Sequence, residues 1–152
     1  PNLNPQVNPP FVPEVVEPMC TKLGALLEAA DAASPPTALT FVIVVAASSS
    51  MRRGTAWHAL TQTPYRRAML EIPLQQHGYM AGHQHIEKEA TRMSSCDTAC
   101  LFWQNNTATG DARTSLVPFP PSLEADIRAT FRSAVPYMNK KKKKSTGGGK
   151  KS

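Results

Sequence analysis

The chain has 152 residues, room for one modest domain, and its 14 prolines beside 8 glycines leave little of it for long uninterrupted helices. With 41% hydrophobic and 18% charged residues it can bury a core, which excludes global disorder, and it is too short for a large enzyme. The formal charge of +6 does not mark a basic groove, because lysines at 140–144, 150 and 151 carry the surplus and without them the 11 acidic residues outnumber the bases.

Three cysteines, Cys20, Cys96 and Cys100, make an odd set with no C-x-x-C pair. They indicate neither a disulfide framework nor a zinc ribbon, and they fit a reducing compartment. The longest apolar run, residues 41–47, falls far short of the roughly 20 residues of a membrane span, and no charged-then-apolar leader opens the chain. The expectation is a soluble intracellular protein with no membrane partner. The opening Pro1-Asn2-Leu3-Asn4-Pro5 predicts a fragment or a processed product.

Along the chain, Gln6-Val7 reads as a strand end and is followed by Asn8-Pro9-Pro10-Phe11. Val15, Val16, Met19, Leu23, Leu26, Leu27 and Ala30 then recur at spacings of three and four, with Glu14, Glu17, Lys22 and Glu28 on the other side, which predicts an amphipathic helix. Pro13 suits its first position, and Pro18 calls for a start near Val15 or a kink, since proline removes a donor and crowds the preceding turn. Ser34-Pro35-Pro36-Thr37 ends the helix. Leu39 to Val45 is a continuous β-branched run of the kind buried on both faces of a parallel sheet, so helix and strand together read as half of a βαβ unit.

Residues 46–54 read as a polar loop, 56–68 as a second helix interrupted by Pro64, and 69–74 as a short strand containing Pro73. Turn residues fill 75–82, and 99–103 form a further strand ending in Gln104-Asn105-Asn106. Loop is expected over 107–121, a small helix over 123–134 with Ser122 as its N-cap, and disorder from Asn139 onward, where lysine, glycine, serine and threonine cannot bury a core. There is no internal repeat.

The tetrapeptide carries the chemistry. In a doubly wound sheet its position, between a strand end and a helix, lies in the crevice beyond the strand carboxyl ends where ligands bind. An amine on an aromatic ring is a poor nucleophile because its lone pair is delocalised. The amide oxygen of Asn8 and a backbone carbonyl of the Pro9-Pro10 segment are suited to accept its two N–H bonds and hold the nitrogen in line with a reactive methyl group. Two prolines stiffen the backbone and add no competing N–H, and Phe11 supplies a stacking face worth about 1–3 kcal/mol. The same residues also make an ordinary turn.

Asn8-Pro9-Pro10-Phe11 resembles the (Asn/Asp/Ser)-Pro-Pro-(Tyr/Phe/Trp) motif of amino-directed methyltransferases that use S-adenosyl-L-methionine. The wider pattern adds Met19 and Leu26-Leu27, Thr40-Phe41-Val42-Ile43-Val44 and Tyr65-Arg66-Arg67. It continues with Tyr79-x-x-Gly82-x-Gln84-His85-Ile86-x-Lys88 and Thr98-Ala99-x-Leu101-Phe102-x-Gln104-Asn105. The series, over residues 8–106, resembles the phosphorylated CTD-interacting factor family of cap-specific adenosine N6-methyltransferases, in the C-terminal half of their catalytic domain.

The resemblance implies an α/β fold, the C-terminal half of a class I (Rossmann-like) methyltransferase sheet. The partial methyltransferase domain would span residues 1–138 and a disordered lysine-rich tail 139–152. It implies methyl transfer from S-adenosyl-L-methionine to the N6 amine of cap-adjacent 2′-O-methyladenosine in mRNA. Asn8 and the Pro9 carbonyl would hold the amine and Pro10 and Phe11 would complete the substrate site. Capped mRNA is the implied partner, with phosphorylated RNA polymerase II C-terminal domain bound through regions outside this chain, and the implied location is the nucleus. Two departures stand out: Ala46-Ala47-Ser48-Ser49-Ser50 replaces a proline and an aromatic of the family, and the glycine-rich donor loop belongs upstream of Asn8, so no cofactor-binding residue is identified. Methylation of another planar amine, in internal adenine or protein glutamine, and a noncatalytic RNA-binding remnant remain the alternatives.

Other residues admit bland readings. His77, His83 and His85 invite a metal, yet no carboxylate or cysteine stands at a ligand spacing, so no metal is expected and His85 reads as structural. Cys96 and Cys100 read as core filling, and so does Trp103, whereas Trp57 is a candidate for stacking a cap base. Arg52, Arg53, Arg66 and Arg67 are candidates for RNA phosphates. The lysine tail fits a nuclear import patch or a salt-sensitive RNA anchor.

Overall fold

In the computed structural model, which describes residues 6–7, 12–80, 91–109 and 121–133, the first apolar spacing forms helix α1, Pro13–Ala32. Pro13 sits where its missing N–H is no loss, and Pro18 is accommodated inside the helix. Val16, Cys20, Leu23 and Leu27 are buried, while Val15 and Leu26, also part of the apolar spacing, stay exposed. The buried stripe is therefore narrower than the sequence pattern.

The chain divides into two units, Pro1–Glu71 with Thr98–Pro120, and Ile72–Asp97 with Pro121–Ser152. In the first, β1 (Gln6–Val7) pairs parallel with β2 (Thr40–Ala46), Val7 lying opposite Ile43. Strand β6 (Thr98–Gln104) returns antiparallel along all seven residues of β2, from Thr40 opposite Gln104 to Ala46 opposite Thr98. Strand β3 (Arg66–Ile72) flanks β6 on its far side, giving the order β1-β2-β6-β3. The Gln104 N–H donates to the Tyr65 carbonyl at 2.9 Å, which sets the end of β6 beside the start of β3.

This sheet corrects the expected fold class. A Rossmann-like half-sheet would be parallel, whereas β2, β6 and β3 form an antiparallel three-stranded core and only the two-residue β1 runs parallel to its neighbour. Nor is β2 buried on both faces: Phe41, Ile43 and Val45 are buried and the residues between them only half so. The uninterrupted β-branched run hid this alternation, because every residue in it is apolar enough for either face.

Helix α3 (Thr55–Thr61) and the single turn α2 (Ser49–Arg52) join α1 in covering one sheet face. Val16, Leu23 and Leu27 of α1 and Ala56 and Leu60 of α3 share a core with Phe41, Ile43, Val45, Leu101 and Trp103. Three local expectations change with this. Residues 46–54 hold the end of β2 and α2 rather than loop, the second helix stops at Thr61, and residues 66–68, expected to be helical, open β3. Pro73 lies just beyond β3, where its missing donor does not interrupt the ladder.

In the second unit, β4 (Gly78–Met80) and β5 (Thr91–Met93) form an antiparallel pair. The preceding turn is closed by Gln76 N–H donating to the Pro73 carbonyl, with Gln75 in the left-handed region at φ 67°. Helix α5 (Pro121–Arg132) begins two residues earlier than expected, so Ser122 lies inside the helix and is not its N-cap. The Phe131 ring meets the buried His77 edge to face at 5.7 Å. Within residues 107–121, expected as loop, α4 (Asn106–Thr109) forms a short helix. Among the described residues no helix is long and apolar enough to cross a membrane.

Candidate functional site

Asn8, Pro9, Pro10 and Phe11 lie outside the described residues, but the elements they join are described: β1 ends at Val7 and α1 starts at Pro13. Since β1 is parallel to β2, the chain leaves β1 at the same end of the sheet at which it leaves β2 at Ala46. That shared end is the carboxyl end of both strands, where the tetrapeptide was expected to act.

The segment after β2 is held there by several bonds. The Ser48 hydroxyl accepts the Met51 N–H at 3.2 Å and caps α2, while Met51 is buried in the core. Arg52 donates from Nε to the Ala47 carbonyl at 3.0 Å, and its two terminal nitrogens reach the two Glu71 carboxylate oxygens at 2.8 and 3.0 Å. Its guanidinium also lies 5.0 Å from the centroid of the Trp57 ring. Arg52 is thus a brace tying α2, the end of β2, β3 and α3 together. Its three nitrogens are engaged, which removes it from the candidates for RNA phosphate, and Trp57 offers one ring face to Arg52 instead of to a base. Arg53, the next residue, is exposed.

Arg66 and Arg67 sit at the opposite end, because β3 starts beside Gln104, which pairs with Thr40 at the start of β2. Arg67 donates to the Pro64 carbonyl at 3.1 Å and to Asn106 Oδ1 at 3.3 Å. Also at this end the Asp31 carboxylate accepts the N–H groups of Asn106 and Thr107, at 3.0 and 2.9 Å, and the Thr107 hydroxyl at 2.7 Å. Partial burial pushes the Asp31 carboxyl up, but the bonds from Thr107 and Asn106 and the charge of Arg67 outweigh it and hold it below the ordinary carboxylate range. A lowered native pKa adds stability above the ordinary carboxylate value that is lost as pH falls through the lowered one. Asp31→Asn is accordingly expected to be less stable than the parent protein at neutral pH, with the gap closing below roughly pH 4 in urea titrations. A gap that stays constant with pH would contradict this role.

Trp103 is buried and donates Nε1–H to the Leu60 carbonyl at 3.2 Å, as a core residue does. Cys20 and Cys100 are also buried. Burial, helped at Cys20 by the nearby Glu17 charge, pushes each thiol up to about 11, so neither offers a thiolate at neutral pH. His77 is buried, with Nδ1 3.0 Å from the Pro73 carbonyl, whereas His83, His85 and the lysine tail lie outside the described residues. Sequence reading missed Glu71, Asp31 and the anchoring role of Asn105. Only Glu71 left a signal, as the lone acid within residues 65–74.

The described glycines, Gly24, Gly54 and Gly78, stand in α1, at the cap of α3 and in β4. The described residues therefore contain no glycine-rich strand-to-helix turn of the kind that cradles a methionine and ribose, and by themselves they do not fit S-adenosyl-L-methionine.

These features define a small mixed α/β protein with an antiparallel sheet core, helices on one sheet face and a short parallel edge strand. The family model described as phosphorylated CTD interacting factor 1 WW domain matches residues 3–82, more than half of the chain. The chain belongs to that family. A human protein described as mRNA (2′-O-methyladenosine-N(6)-)-methyltransferase is 31% identical to it over 134 residues, 85% of this chain and 17% of that protein. The chain spans about a sixth of the length of this curated relative. The link is to a methyltransferase-related protein of mRNA. It corrects the expected assignment to the C-terminal half of the catalytic domain, because the contiguous match from Leu3 to Gly82 is to the WW domain of that family. The earlier likeness rested on short segments scattered over residues 8–106, none decisive alone.

Proposed function

We propose that this chain serves a methyltransferase-related protein as the part that holds a planar amine of RNA, gripped by Asn8-Pro9-Pro10-Phe11. The observation that supports this reading most is the 31% identity to the human mRNA methyltransferase over most of the chain. Asn8 Oδ1 and the Pro9 carbonyl accept the two N–H bonds of the amine, which localises its lone pair and aims it away from the protein. Pro10 keeps the backbone from adding a donor, and Phe11 stacks on the ring. Such positioning raises the rate only where the amine is oriented before reaction. The donor in this reading is S-adenosyl-L-methionine, held outside the described residues of this chain. The substrate class is adenine of mRNA, with the cap-adjacent 2′-O-methyladenosine as the first member to test and internal adenine as the second. In this reading a phosphorylated polymerase tail, bound through regions outside this chain, is a protein partner and the nucleus is the location, a choice that the family match supports.

A second reading is a module that binds RNA without methyl transfer; the match to a WW domain supports its noncatalytic part, since such modules dock extended proline-rich segments and do no chemistry. The two separate on the full-length protein assayed with labelled donor and capped, uncapped and internal-adenine oligoribonucleotides. The amine-holding reading expects transfer that falls about 100-fold or more in Asn8→Ala while RNA affinity changes little. RNA binding with no transfer in the parent protein establishes the second reading, and transfer unaffected by Asn8→Ala sinks the first.

A further inference from the structure

Helix α5, Pro121–Arg132, carries an apolar stripe that the fold does not enclose. Leu123, Ile127 and Phe131 recur every four residues and so lie one above the other on a single face. None of residues 122–133 is buried: Leu123 is 41% exposed, and Ile127 and Phe131 are half-buried. The last turn is anchored, since the Phe131 ring meets His77 at 5.7 Å and Arg132 donates to Gln76 Oε1 at 3.3 Å. The first turn bears the most exposed apolar side chain of the stripe. A helix of 12 residues is marginal alone and draws its stability from packing of its apolar face, so cover over Leu123 and Ile127 stabilises it.

The charges beside the stripe indicate what fits it. Glu124 and Arg128 each follow a stripe residue by one position and therefore flank it on the same side, where Arg128 Nε donates to Glu124 Oε1 at 2.9 Å. Both are partly open to solvent, with side chains 31% exposed for Arg128 and 44% for Glu124. The acid stands nearer the amino end of the helix and the base nearer the carboxyl end. When a second copy of α5 is laid over the first in the opposite direction, with the two Ile127 side chains at the crossing, Leu123 of each copy meets Phe131 of the other. The same reversal sets Glu124 of each copy beside Arg128 of the other, because identical helices packed antiparallel share the same flank. The two ion pairs within the helices then join into one network of alternating sign, which fixes direction and register.

We propose that α5 pairs antiparallel with α5 of a second copy of this protein, in a two-fold contact built from Leu123, Ile127 and Phe131 and registered by Glu124 and Arg128. A two-fold contact uses the same patch on both copies, so one self-complementary helix suffices. The pairing is independent of the reading given under Proposed function.

The test is the mass of the full-length protein by sedimentation equilibrium across roughly 1–100 μM, where weak pairings are populated. The parent protein is expected to pass from one copy to two over this range. Leu123→Asp is expected to weaken the pairing about tenfold or more, and its exposed position leaves the fold intact by far-UV circular dichroism. Glu124→Lys and Arg128→Glu each put like charges along the shared flank and are expected to be monomeric alone. Mixed in equal amounts they are expected to pair with each other, an outcome that a role in helix stability alone would not produce. A parent protein that stays monomeric overturns the proposal and leaves the stripe to another protein or another part of the full-length chain. Pairing undiminished in Leu123→Asp overturns α5 as the contact, and failure of the mixture to pair overturns the antiparallel arrangement.

Discussion

Trp103→Ala is expected to lower the unfolding free energy by about 3–5 kcal/mol, the largest effect of any single truncation in this chain. The indole is 1% exposed and lies on the central strand β6, opposite Phe41 and in the same core as Leu27 and Leu60. Truncation removes that packing and also orphans the Leu60 carbonyl, which now accepts the indole N–H at 3.2 Å. Trp103→Phe separates the two contributions, since it keeps most of the apolar volume and loses the hydrogen bond. It is expected to cost about 1–2 kcal/mol, and the midpoint of urea unfolding at constant slope reads both values. Equal losses in the two variants would place the whole effect in the hydrogen bond and refute the packing argument.

Asn105→Ala is expected to cost about 3 kcal/mol or more, although alanine is smaller and no charge is lost. Asn105 is 0% exposed and uses its side chain fully. Oδ1 accepts the Leu39 and Ala108 N–H groups, each at 3.0 Å, and Nδ2 donates to the Thr37 carbonyl at 2.8 Å. The backbone N–H of Asn105 in turn donates to the Leu39 carbonyl at 3.2 Å. One side chain therefore stitches the approach to β2, the end of β6 and the start of α4. Removing it leaves one buried side-chain position empty and strands three part-buried backbone groups, each worth at most about 1–3 kcal/mol when left unpaired. Asn105→Asp keeps the two acceptor bonds but sets a carboxylate oxygen against the Thr37 carbonyl. It is expected to be at least as damaging at neutral pH and less so on acidification, when the protonated acid can donate. An Asn105→Asp variant as stable as the parent would remove the Thr37 bond from the account.

Helix α1 and strands β2 and β6 were legible because their patterns are local: apolar residues at helical spacing, and two short β-branched or aromatic runs between breakers. Residues 66–68 were not, since Arg-Arg-Ala is acceptable in a helix and becomes strand only by pairing with the distant end of β6, where Gln104 meets Tyr65. Strand direction was equally invisible. The run in β2 looks the same whether its neighbour is parallel or antiparallel, and the Rossmann-like expectation failed at that choice. Of the candidate site, Asn8-Pro9-Pro10-Phe11 lie outside the described residues, and what the structure adds is the parallel pairing of Val7 with Ile43 just before them.

By itself the sequence determined which segments are apolar on one side and where proline stops or starts them. These are properties of neighbours along the chain. Only the tertiary structure decided that Arg52 is spent on Glu71 while Arg53 is left facing solvent, and that Asn105 is a buried clip. It also decided that the sheet core is antiparallel. Each of those outcomes depends on a partner distant in sequence, and no local pattern records which distant group a donor or a strand edge will meet.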